Sequence, residues 1–311
     1  MNTRPTIVIL LSTYNGAAFL REQLDSLFSQ SYREFILLVR DDGSTDGTLK
    51  ILGDYAIRYP EKLKLIEDDA GNLGASGSFS WLMNYAIEHR DELQLESLYL
   101  MFCDQDDTWY KDKIARQVNA MVSTEAGLPT PTPVLVHSDL QVVDSNNSPI
   151  AESLALYQGL ETARNRFPNL VISNLVTGCT ALINEPLARR ALPVPSQAIM
   201  HDWWLALVAS AFGYVVYLDT PLVHYRQHGN NTIGAKERDA HGITSAGLWR
   251  KLFGPTANEH LLEVARQAAV FKSRFAADLD RHQRRALSVC AGMAVRIGFL
   301  QRLVYRLARR F

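Results

Sequence analysis

Short apolar runs alternate with amphipathic segments along the first half of this chain, and that alternation restricts the fold more than any other feature. Residues 6–11 form a continuous aliphatic run, as expected of a strand buried on both faces. Residues 17–30 place Phe19, Leu20, Leu24 and Leu27 at helical spacing. A second strand is predicted over 35–40 and a helix over 45–58, capped by Ser44 or Thr45. The pattern repeats with strands over 63–67 and 98–103 and helices over 76–89 and 111–122. Such short alternation predicts a parallel sheet covered by helices on both faces.

Beyond Gly127 the stretch PTPTPV marks a connection, and residues 145–175 are polar and irregular. Residues 134–137, 177–184, 214–218 and 222–225 read as strands, and 201–212 as a helix. Residues 229–242 form a polar linker, and helical spacing resumes near Leu248. The expected organisation is one α/β domain over residues 1–235 and a basic, amphipathic helical arm over 244–311. Residues 245–311 carry thirteen Lys or Arg against four Asp or Glu, whereas the whole chain has a formal net charge of -1. The body is therefore acidic and the arm basic, which suits an anionic lipid surface for the arm but no general nucleic-acid coat. Helices packed on the body with solvated arginines fit the same spacing.

Composition removes other classes. At 311 residues, 47% hydrophobic and 21% charged, the chain is neither disordered nor fibrous. Cys103, Cys179 and Cys290 are too few and too scattered for a disulfide framework or a CxxC zinc site, and they fit a reducing cytoplasm. The run at 7–11 is too short for a signal-peptide core, and the longest apolar candidate for a membrane span, 286–300, is broken by Arg296. A cytoplasmic location is expected.

Three polar clusters follow strands: Ser12-Thr13-Tyr14-Asn15, the DDGSTDG loop from Asp41, and Asp104-Gln105-Asp106-Asp107. Ligands of open α/β sheets bind at the carboxyl ends of strands. Asp104, Asp106 and Asp107 repel one another unless a cation sits among them, and Mg²⁺ or Mn²⁺ with a substrate phosphate meets that need. The alternative is a solvated acidic turn with Asp107 capping the next helix. DDGSTDG is likewise good turn and cap chemistry, or a site where an aspartate accepts from a base or ribose. Neither GxGxxG after the first strand nor GxxxxGK[ST] is present, so a bound diphosphate would need a metal for neutralisation.

In this order, STYN, DDGSTD and DQDDTW resemble the family 2 glycosyltransferases. TGCTALIN, MHDWWLALVA and LVHYRQHGNN resemble the bacterial rhamnosyltransferases of O-antigen and rhamnan assembly. The likeness covers roughly residues 6–234. It implies a GT-A fold, a Rossmann-like, mostly parallel α/β sheet between helices, here with a C-terminal helical extension. It also implies a nucleotide-sugar donor, a divalent metal and inversion at the sugar. By motif position Ser12, Thr13 and Tyr14 would line the base and ribose pocket, and Asp42 would contact the base. Asp104 would lie near ribose and metal, Asp106 would be the main metal ligand, and Asp202 the catalytic base. The family's usual Pro is Ser12 here, and its usual Glu before the base is His201.

Inversion needs one carboxylate to take the acceptor proton and one metal to offset the charge of the leaving diphosphate. For Asp202 the structural alternative is a helix-start residue that favours the dipole. The spacing of His224, Arg226 and His228 puts them on one face, where Arg226 could reach the diphosphate and His228 the metal. Trp109, Trp203 and Trp204 could stack on sugar, with Trp203 and Trp204 toward the acceptor, or simply pack. The expected reaction moves L-rhamnose from dTDP-β-L-rhamnose to a lipid-linked saccharide at the inner leaflet. A UDP-hexose donor, or a non-catalytic saccharide-binding protein on the same fold, are the alternatives.

Overall fold

The computed structural model describes residues 4–229 and 258–309. Its sheet begins as expected. β1 (Ile7–Thr13), β2 (Phe35–Asp41), β3 (Leu63–Ile66) and β4 (Tyr99–Cys103) pair in parallel in the order β3-β2-β1-β4. Between them run α1 (Leu20–Phe28), α2 (Thr48–Arg58) and α3 (Gly74–Glu88). The continuous apolar run of β1 is explained by what lies on its two sides. Ile7, Ile9 and Leu11 enter one core with Leu24 and Leu52, and Val8 and Leu10 enter another with Phe79 and Leu82. Each such fully buried aliphatic side chain contributes roughly 1.5–3 kcal/mol.

Past β4 the sheet departs from the parallel expectation. β5 (Thr108–Trp109), α4 (Lys113–Glu125), β6 (Val134–Val143), β7 (Pro149–Ala151), α5 (Leu154–Gln158) and α6 (Phe167–Leu170) follow. Next come a 3-10 turn (Gly178–Thr180), β8 (Leu182–Asn184), α7 (Glu185–Ala191), α8 (His201–Phe212) and β9 (Tyr214–Arg226). The order continues β4-β8-β6-β9-β5, with β8 antiparallel to both β4 and β6 and β5 antiparallel to β9. The sheet is therefore mixed. β6 is ten residues long because polar His137, Ser138, Asp139 and Gln141 continue it while buried. β9 is one strand where two were expected. Its register against β6 shifts near Ser138 and Asp139, and Pro221 stands opposite Asp139.

The C-terminal helices are α9 (Glu259–Arg274), α10 (Arg281–Ala291) and α11 (Gly298–Ala308). Val264, Ala268 and Phe271 of α9 and Leu287 of α10 join the core that holds α8. Gln267 accepts from the Ile199 amide at 2.9 Å, and Arg190 pairs with Asp278 at 2.7 Å. The linker expected over 229–242 lies, beyond Gly229, outside the described residues, as does the start of the arm up to 257. Among the described residues no helix is long and apolar enough to cross a membrane.

Candidate active site

A cavity of about 1050 Å³ opens at the carboxyl ends of β1, β2 and β4 and reaches the start of α8. Its β1–β2 side is tightly tied. Ser12 lines the cavity and its hydroxyl donates to Ser78 at 2.8 Å. Tyr14 also lines it, half exposed. Thr13 corrects the expectation: it is buried, away from the cavity, and its hydroxyl donates to Asp41 at 2.7 Å. The Asn15 amide donates to Ser44 at 2.8 Å, and the Thr45 amide to the Asn15 side chain at 2.8 Å. Ser44 thus joins two loops, and α2 starts later than expected, after Asp46 accepts from the Thr48 amide at 2.9 Å.

Asp42 lines the cavity yet is only 3% exposed. It pairs with buried Arg40 and accepts from the Leu73 and Gly74 amides at 2.8 Å each. Arg40 also pairs with Asp68 at 2.8 Å. This charge network pins the loop before α3 and leaves Asp42 little free acceptor capacity.

The acid cluster divides. Asp104 and Asp106 line the cavity, while Asp107 turns into the protein. Burial, with the charges of Asp106 and Asp202, raises the Asp104 carboxyl to about 7. Burial, with the charges of Asp106 and Asp104, also pushes Asp107 well above the usual carboxylate range. One oxygen of Asp107 accepts from the Arg226 amide at 3.1 Å, and Cys179 stands beside the carboxyl. It is not the cap of α4, whose preceding residue is Asp112.

Asp104, Asp107 and Cys179 bring ligand atoms within 4.8 Å of one another. Burial pushes the Cys179 thiol well up, so it stays protonated and suits a hydrogen bond to Asp107 better than a hard cation. Asp104 and Asp106 are the better fit. Their oxygens face the cavity in an excess of negative charge, and His228 Nε2 stands 2.8 Å from Asp106 Oδ2.

Arg226 does not reach toward a diphosphate. It is 1% exposed and its guanidinium bonds Asp106 O at 2.8 Å, Ser145 O at 3.0 Å and Glu22 at 2.6 Å, over the Phe19 ring. Its visible task is to hold the acid loop against α1. Alternation along a strand names a face, and here the face is internal. His224 stacks on Tyr110 at 4.2 Å.

Asp202 occupies the first turn of α8 and lines the cavity. Its carboxylate accepts from the Trp203 amide at 2.5 Å and Asn174 at 3.3 Å. Burial raises it to about 7 against these hydrogen bonds. His201 beside it is buried between Phe79 and Phe102, with ring centroids at 4.4 and 5.0 Å. Neither ring nitrogen has a hydrogen-bond partner among the described residues, and burial lowers its pKa to about 3, so it is neutral at physiological pH. A Cβ on Gly178 would lie 3.0 Å from its Nε2, so a glycine leaves this pair its room.

Trp203 lines the cavity and its indole N–H donates to Leu170 O at 2.6 Å. Trp204 and Trp109 do not form a sugar-facing wall. Trp204 is 0% exposed, edge-on to Phe271, and Trp109 packs in the opposite core. Asn174, Leu154 and His260 also line the cavity and were not singled out in the sequence. Asn174 and Leu154 lie in the irregular stretch, and His260 comes from α9, where no local motif marks it.

A curled α/β sheet with carboxylates gathered at its strand ends is the architecture of GT-A glycosyltransferases. The fold matches Staphylococcus aureus TarS 1-349 in complex with UDP-GlcNAc, with a TM-score of 0.58, 16% identity, and coverage of 92% of this chain and 72% of that one. It also matches the mannosyltransferase PcManGT from Pyrobaculum calidifontis in complex with GDP-Man and Mn²⁺, with a TM-score of 0.56 and 17% identity, over 99% and 74% of the two chains. The model of "Glycosyl transferase family 2" matches residues 8–189, and the chain belongs to that family. A dTDP-rhamnosyl transferase, RfbG of Shigella flexneri, is 29% identical over 231 residues, 72% of this chain and 74% of that one. An uncharacterised glycosyltransferase of Rickettsia bellii is 22% identical over 88% of this chain, but the match spans 37% of that protein.

Proposed function

We propose that this family 2 enzyme is a metal-dependent, inverting rhamnosyltransferase. It would transfer L-rhamnose from dTDP-β-L-rhamnose to a lipid-linked saccharide during bacterial surface-polysaccharide synthesis, on the cytoplasmic face of the inner membrane. The observation that carries the reaction class is that Asp104, Asp106 and Asp202 line one cavity. The similarity to RfbG supports the sugar.

Asp106, with Asp104 and His228, would hold Mn²⁺ or Mg²⁺, whose charge offsets that of the diphosphate. Ser12 and Tyr14 line the part of the cavity where the nucleotide would lie, and Asp42 keeps the adjoining loop in place. Asp202 takes the proton of the acceptor hydroxyl as its oxygen bonds the anomeric carbon. The bond from that carbon to the phosphate oxygen breaks, and the nucleoside diphosphate leaves with the electron pair. A carboxylate raised to about 7 is a stronger base than an exposed one and is still ionised above neutrality. Neutral His201 adds no positive charge that would weaken it. Trp203 and His260 border the far part of the cavity, where the acceptor would enter.

Calorimetry tests this reading. Wild type and Asp106→Ala are titrated with dTDP-rhamnose, UDP-galactose and UDP-N-acetylglucosamine, each with Mn²⁺ and with chelator. Metal-dependent binding of dTDP-rhamnose alone, lost in Asp106→Ala, supports both donor and metal site. Preference for a UDP-sugar keeps the class and overturns rhamnose. Folded protein that binds none of them overturns the donor assignment.

A further inference from the structure

The last helix is built inside out. α11 is held to the protein by Val304 and Tyr305, which pack against the core, and by small and polar residues. Gln301 and Ala308 are buried, and Gln301 bonds Met293 O at 3.1 Å and both backbone groups of Asn258, at 2.8 and 3.2 Å. Its other large apolar residues are exposed. Phe299 is 51% exposed, Leu300 40%, Leu303 46% and Leu307 47%, and Ile297 just before the helix is 59% exposed. At helical spacing these four helix residues fall within an arc of about 100°. Exposed Arg306 and Arg309 follow one edge of that stripe, and exposed Arg296 precedes the helix. Residues 281–311 contain eight arginines and no aspartate or glutamate.

We infer that α11 is the membrane-docking surface of the protein: it lies flat on an anionic bilayer, with Leu300, Leu303 and Leu307 entering the acyl boundary and Arg296, Arg306 and Arg309 meeting lipid phosphates. An apolar stripe with a cationic edge is what an interfacial helix needs, and eleven residues are too few to span a bilayer. A second copy of the chain is the poorer occupant. Pairing this face with itself would bring arginines against arginines with no acidic residue in the segment to answer them. The inference deepens the lipid-linked acceptor reading and rests on it for the reason the protein goes to a bilayer. The docking itself is testable without any sugar.

The full chain is sedimented with vesicles of phosphatidylglycerol and phosphatidylcholine, and with phosphatidylcholine alone, at low and high salt. Wild type binds the anionic vesicles more tightly, and salt weakens it. The pair Leu303→Ser and Leu307→Ser weakens binding at least tenfold. Arg306→Gln with Arg309→Gln weakens it severalfold and flattens the salt dependence. Melting curves verify that the variants are folded, and the exposed arginine pair decides if the apolar pair is not. Wild type left in the supernatant overturns the inference, as does variant binding equal to wild type. So does a dimer that Leu303→Ser dissociates while vesicles take up no protein. Loss of sugar transfer with vesicle binding intact strikes the proposed reaction and leaves the docking standing.

Discussion

The two halves of the cavity are built on opposite principles. On the β1–β2 side, Ser12, Asn15, Asp42 and Ser44 are engaged by neighbours in the protein. On the β4–α8 side, Asp104, Asp107 and Asp202 are each pushed toward the neutral acid, and His201 has two ring nitrogens unpaired among the described residues. One half is satisfied before substrate arrives. The other holds electrostatic stress that bound charge can relieve. The difference teaches where to look for chemistry: polar clusters that satisfy themselves give shape, and those that do not give reactivity.

The sharpest way to break this contrast is Asp202→Asn. Transfer should fall by roughly 10²–10⁴-fold, with donor affinity little changed, as read by steady-state kinetics beside calorimetry. Stability should move the other way. The folded carboxyl titrates near 7, above its ordinary value of 3.8, so the folded state holds more protons between about pH 4 and 7. Wild-type stability from this group therefore falls as pH rises through that window. The Asn variant avoids a penalty on the order of 3–4 kcal/mol above neutrality. Thermal melts should show it more stable than wild type at pH 8, and the gap should narrow by pH 5 and close only below about pH 4. Wild-type activity should lose its base on the acid side of about pH 7.

On the satisfied half, Arg40→Met should destabilise by about 3–5 kcal/mol in urea titration, because Asp42 keeps a buried charge without its partner. No compensating rise at high pH is expected. Arg226→Lys tests the boundary between the halves. A lysine cannot make the three-way contact to Asp106 O, Ser145 O and Glu22, so Mn²⁺ affinity should drop about tenfold with the melting point less affected. The smallest effect on turnover belongs to Trp204→Phe. It should cost about 2 kcal/mol of stability and leave the acceptor KM unchanged, whereas Trp203→Phe should raise that KM.

Much of the fold was legible because β1 to β4 are apolar runs separated by helical spacing, and α8 falls on residues 201–212 as read. The rest was set by tertiary partners. Polar residues continue β6 because β9 and β8 flank it, and no local propensity announces that. Asp219, Thr220 and Pro221 look like a break, but the structure absorbs them as a register shift. For the candidate site, motif order picked out loops that border the cavity but not the orientation of each side chain. Ser12, Asp104, Asp106 and Asp202 line the cavity. Thr13, Arg226 and Trp204 face inward, since spacing cannot tell a binding face from a packed one. Glu22 and Cys179 entered through contacts 204 and roughly 70 residues away in sequence, and such distances leave no local signature.

Gln105 stands between the two cavity-lining aspartates and clasps the backbone of Tyr14 in both directions, accepting from its amide at 2.8 Å and donating to its carbonyl at 3.0 Å. A side chain at Gly16 would collide with it. The loop of residues 12–15 and the acid loop of residues 104–107 therefore cannot shift independently. If, as proposed, the first holds the donor and the second the cation, occupation of either would act on the other, and by reciprocity the factor by which donor tightens cation binding would equal the factor by which cation tightens donor binding. With the clasp cut in Gln105→Ala, the two equilibria should become closer to independent.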